Sequence, residues 1–122
     1  MVTIDEAHQM LDEIAESLPE VFYKELNGGI CLLPEAKISP YAQKGDLWIM
    51  GEYVTSSSMG RLINIYYGSF QKAYGHVSAK TFKEELRETL LHEFTHHLED
   101  LAGENDLEKW DEQQLERYFG RR

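Results

Sequence analysis

From Thr81 onward the chain keeps a helical pattern with no Gly or Pro until Gly103. At about 100° per residue, Phe82, Leu86, Leu90, Phe94, Leu98 and Leu101 fall in one broad apolar sector, so this segment is expected to be a long helix with its stripe turned to the core. Thr81 followed three residues later by Glu84 reads as a capping box at its start. Gly103 reads as its C-cap.

The N-terminal part is also helical in pattern. Thr3 and Glu6 form another capping box, and Ile4, Ala7, Leu11, Ile14 and Leu18 recur at helical spacing until Pro19. "PEVFYKEL" reads as a short second helix closed by the turn "NGG". The middle changes character. "ICLLP", "DLWIMGEYV" and "RLINIYY" are short, β-rich and separated by Gly, Pro and Ser, which gives three or four strands. The best of these is Leu62 to Tyr67, preceded by the turn "TSSSMG". A last amphipathic segment, "DLEKWDEQQLERYF", is expected to be a C-terminal helix. Helices, then strands, then helices argue for an α+β fold.

At 122 residues the chain makes one domain, and 42% hydrophobic residues can supply its core. No apolar run approaches the roughly 20 residues of a membrane span. The start, "MVTIDEAHQMLDE", carries acids where an export signal would carry lysines. Cys31, the single cysteine, is expected to be a buried reduced thiol. These features fit a cytoplasmic protein. A net charge of −10 excludes a nucleic-acid or anionic-membrane partner. It is compatible with a basic substrate or a divalent cation.

Three of the five histidines stand within six positions of the long helix. His92, Glu93 and His96 form the pattern HExxH, and both histidines point away from the apolar sector, towards solvent or a cleft. Residues at i and i+4 lie roughly 6 Å apart along the axis, so two imidazoles can converge on one ion. Zn²⁺ takes neutral imidazole nitrogen, and a catalytic site uses three protein ligands and one open position. Glu93 stands beside the first ligand, where its carboxylate can accept a proton from water. The plain alternative is a solvated face bearing two histidines. His97 falls inside the apolar sector and is expected to be a packed, hydrogen-bonded neighbour rather than a ligand. His8 and His76 read as surface residues.

With "LWIMGEYV", "LINIYY" and "LRETLLHEFTHH", including the doubled histidine, most of the chain resembles the small bacterial zincin-like metallopeptidases, single domains in which a short mixed sheet precedes the active-site helix. The resemblance implies one zinc per chain on His92 and His96, Glu93 as general base, and a peptide or protein substrate. It also implies that the strand Leu62 to Tyr67 lies along the cleft with one edge open towards the metal, where an extended peptide adds as a further strand. The family usually has Gly two residues after the doubled histidine and a ligating Asp three beyond. Here those places hold Glu99 and Ala102. "HHLEDLAGEND" repeats the Gly-x-x-Asp spacing four residues later, at Gly103 and Asp106. The expected third ligand is therefore Asp106, followed in order by Glu104, Glu99, and Glu112 or Glu116 of the last segment. Tyr66, Tyr67 and Tyr74 are alternative donors to a developing oxyanion, and the pattern does not choose among them. The competing function is a catalytically inactive module of the same fold that binds a metal or a protein.

Overall fold

The computed structural model describes residues 1–41 and 47–103. Helix α1 (Ile4–Glu16) opens with the expected capping box: Thr3 Oγ1 accepts the Glu6 N–H at 3.1 Å, and Glu6 Oε1 accepts the Thr3 N–H at 2.9 Å. Its buried residues Ala7, Leu11 and Ile14 lie against helix α3 (Ala79–Gly103). After Pro19 the chain makes only a 3₁₀ turn, Glu20–Tyr23, which buries Phe22.

Five short strands follow: β1 (Gly29–Leu33), β2 (Lys37–Ile38), β3 (Trp48–Ile49), β4 (Gly51–Ser56) and β5 (Gly60–Tyr66). β2 and β3 pair as a separate antiparallel ribbon. The main sheet has the order β1-β5-β4, with β1 parallel to β5 and β4 antiparallel to it. The sheet is therefore mixed, and the fold is α+β.

Three sequence expectations change here. The strand at Leu62 is the central one, hydrogen-bonded on both sides, so it offers no open edge; β4 is the edge strand beside α3 among the described residues. A central position suits its two buried faces, where Leu62, Ile63, Ile65 and Tyr66 are all buried. Tyr67 does not extend that strand but begins an unforeseen helix, α2 (Tyr67–Tyr74). Finally, α3 starts two residues before Thr81. Ser78 Oγ accepts the Thr81 N–H at 3.2 Å, so Ser78 caps the first turn and Thr81 lies inside it.

α2 fits because its second residue is a glycine. A Cβ on Gly68 would stand 2.5–2.8 Å from backbone atoms of Glu35 and Ala36, and the Gly68 N–H donates to the Glu35 carbonyl at 3.1 Å. Phe70 of α2 and Phe82 of α3 meet with ring centroids 5.6 Å apart in the core. All six residues of the expected stripe on α3 are buried. Cys31 is half-buried on β1 rather than enclosed. Among the described residues, no helix is long and apolar enough to cross a membrane. The expected C-terminal helix lies outside the described residues.

Candidate metal centre

α3 presents three faces in its C-terminal half, because turns of 3.6 residues distribute neighbouring positions around the axis. Leu90, Phe94, Leu98 and Leu101 enter the core. His92 and His96 are exposed on the opposite side. Between these faces, Glu93, His97 and Asp100 turn towards β4.

The two exposed histidines converge. His92 Nε2 and His96 Nε2 lie 3.2 Å apart, with ring planes at 86°. Two ligands on a tetrahedral zinc, each at about 2.0–2.1 Å, stand roughly 3.3–3.4 Å apart, so the pair has the separation a shared ion requires. Among the described residues no third His, Cys, Asp or Glu completes the group. Glu99 is described and exposed, and it does not join the pair. Glu104, Asp106, Glu112 and Glu116 lie outside the described residues.

Glu93 is 6% exposed, an unusual place for a carboxylate. Burial pushes its pKa above the ordinary value, and nearby Glu52 adds to that. His92 and His96 and a hydrogen bond from the Tyr53 backbone N–H pull the other way. That N–H belongs to the outer edge of β4. Met50 O accepts the Tyr66 N–H at 2.9 Å, which sets residue 50 facing β5. Alternation along an antiparallel pair then turns the backbone groups of Gly51, Tyr53 and Thr55 outward.

An open cleft of about 440 Å³ lies between this edge and α3. Ile49, Met50 and Gly51 form one wall, and Glu85, Glu88, Thr89, His92 and Glu93 form the other. The walls come close at one point, where a Cβ on Gly51 would sit 3.0 Å from Thr89 Cγ2.

The tyrosines proposed from sequence each have a hydrogen-bond partner. Tyr66 donates to Glu52, Tyr67 donates to the Val2 carbonyl, and Tyr74 bonds Glu85 at the cleft wall. His97 is fully buried, as its place in the apolar sector implied. Its Nε2 lies 2.8 Å from the Lys24 carbonyl and its Nδ1 lies 3.0 Å from the Tyr53 hydroxyl. Burial pushes its pKa down. Tyr53 and Asp100 escaped the sequence reading. Only the spacing of Asp100, seven residues after Glu93 and so on the same face, hinted at a role.

No family model matches this chain, and no curated protein matches it. Among solved structures, it is similar to a conserved hypothetical protein from Thermo thermophilus. The two are 35% identical, the match covers 84% of this chain and 99% of the other, and the TM-score is 0.70.

Proposed function

The chain belongs to the same family as the conserved hypothetical protein from Thermo thermophilus, and within that family we propose that it is a zinc-dependent hydrolase, a metallopeptidase of zincin-like fold. One observation carries this reading: two imidazole nitrogens 3.2 Å apart stand beside a buried carboxylate at the wall of a cleft. His92 and His96 would hold the ion, and the third ligand would come from Asp106 or Glu104. A zinc ion held there would supply Lewis acidity. Glu93 would act as general base, accepting a proton from the attacking water and returning it to the leaving amine. Its burial supports the role, since a carboxylate with a raised pKa binds a proton more readily than an exposed one. The outer edge of β4 gives an extended peptide backbone groups to pair with, which favours a peptide over a small ester.

The test compares wild type, Glu93→Gln and the double variant His92→Ala/His96→Ala. Bound zinc is measured by mass spectrometry, and cleavage is measured on a mixture of unfolded proteins. One zinc per chain is expected in wild type and in Glu93→Gln, little in the double variant, and cleavage by wild type alone. Full zinc occupancy in the double variant would remove the site. Zinc without cleavage by wild type would leave the competing reading, an inactive binding module of the same fold.

A further inference from the structure

Tyr53 touches α3 through two different parts of itself. Its backbone N–H donates to Glu93. Its hydroxyl lies 3.0 Å from His97 Nδ1 and donates to Asp100 Oδ2 at 2.8 Å, one and two turns further along the helix. Both anchors are themselves held. The Lys24 carbonyl lies 2.8 Å from His97 Nε2, and Arg61 Nε donates to Asp100 Oδ2 at 2.9 Å. The Tyr53 and His97 rings are packed with centroids 5.3 Å apart. One residue of the edge strand is thus fixed against positions 93, 97 and 100 of the helix.

We infer that Tyr53 is a positioning residue for Glu93: its hydroxyl, clamped by His97 and Asp100, sets β4 against α3 so that its N–H holds the carboxylate beside His92 and His96. This rests on Glu93 being the proton-transfer group, and it adds a substrate register. In a bare edge strand the Tyr53 N–H would donate to a carbonyl of an added peptide. Here Glu93 takes that place. A substrate backbone therefore pairs with the edge groups of Gly51 and Thr55, and at Tyr53 it finds only the carbonyl.

Hydrogen exchange on the isotopically labelled full chain tests the clamp without substrate. The amides of Tyr53, Ile63 and Ile65 are compared in wild type, Tyr53→Phe and Asp100→Asn. The Tyr53 N–H is bonded to Glu93, so the change in protection at residue 53 between wild type and the variants reports how firmly that bond is held. Tyr53→Phe keeps the ring and removes only the hydroxyl. It is expected to speed exchange at residue 53 about tenfold and leave residues 63 and 65 within about twofold. Asp100→Asn, which leaves His97 in contact with the hydroxyl, should give a smaller change in the same direction. Unchanged exchange at residue 53 in both variants overturns the inference. So does equal acceleration at all three amides, because that reports general loosening. Zinc content and cleavage play no part in this readout, so a failed peptidase assay and a failed clamp remain separate results.

Discussion

Glu93 and Asp100 are acids on one helix with opposite electrostatic histories. Burial raises the pKa of Glu93, whereas hydrogen bonds from Arg61 and Tyr53 lower that of Asp100. The signs of their pH effects differ accordingly. A group whose folded pKa is raised contributes its full stability below the unfolded value, here 4.5, and loses it as pH rises through the folded pKa. In metal-free protein, Glu93→Gln should therefore gain on wild type in urea midpoint as pH rises from 4.5 through the raised folded pKa. A difference that stays flat across that range would mean the carboxylate is not perturbed. Asp100 behaves in reverse: its contribution is present above the unfolded pKa and is lost as pH falls through the depressed one. Its side chain is 35% exposed, so Asp100→Asn should cost about 0.5–1 kcal/mol at neutral pH, less at high salt. That cost should fade on acidification.

At the level of elements, α2 is the piece that brings β5 round to α3. Its entry depends on a bare Cα at position 68, where backbone rather than a flexible side chain would block a methyl group. Gly68→Ala should cost about 2–3 kcal/mol, because two segments of main chain must shift. Gly103 offers a control. It is the last described residue of α3, has no neighbour among the described residues within 4 Å of an added Cβ, and does not take the positive φ of a left-handed cap. Gly103→Ala should be neutral or add up to about 1 kcal/mol through helix propensity. Urea unfolding of the two variants checks both statements, and equal effects would contradict the contact argument.

For the whole molecule, the proposed third ligand lies beyond Gly103 in the sequence. Glu99 is exposed and does not join them. Glu99→Ala is therefore expected to bind zinc within about twofold of wild type. Loss of the true third ligand should lower affinity at least as much as the roughly 10–100-fold typical of supporting residues. Competition with a chelator across Glu99→Ala, Glu104→Ala and Asp106→Ala measures this, with the largest loss expected for Asp106→Ala. A large loss confined to Glu99→Ala would put all the ligands on the helix and refute the spacing argument.

Local periodicity made much of this molecule legible. The stripe from Phe82 to Leu101, the Thr3–Glu6 cap, the outward pair His92 and His96, and the inward His97 all follow from 3.6 residues per turn, which the backbone imposes within a few neighbours. Strand order does not follow from such rules. "RLINIYY" and "GEYV" look alike as short β-rich runs, and among the described residues only long-range pairing made the first central and the second an edge. Residues 53 and 97 are 44 positions apart, and 61 and 100 are 39 apart, so no local pattern could join them. The helix was written in the sequence because its partners are neighbours in the chain; the wall facing it was decided by tertiary packing, because β partners meet only when the chain folds back.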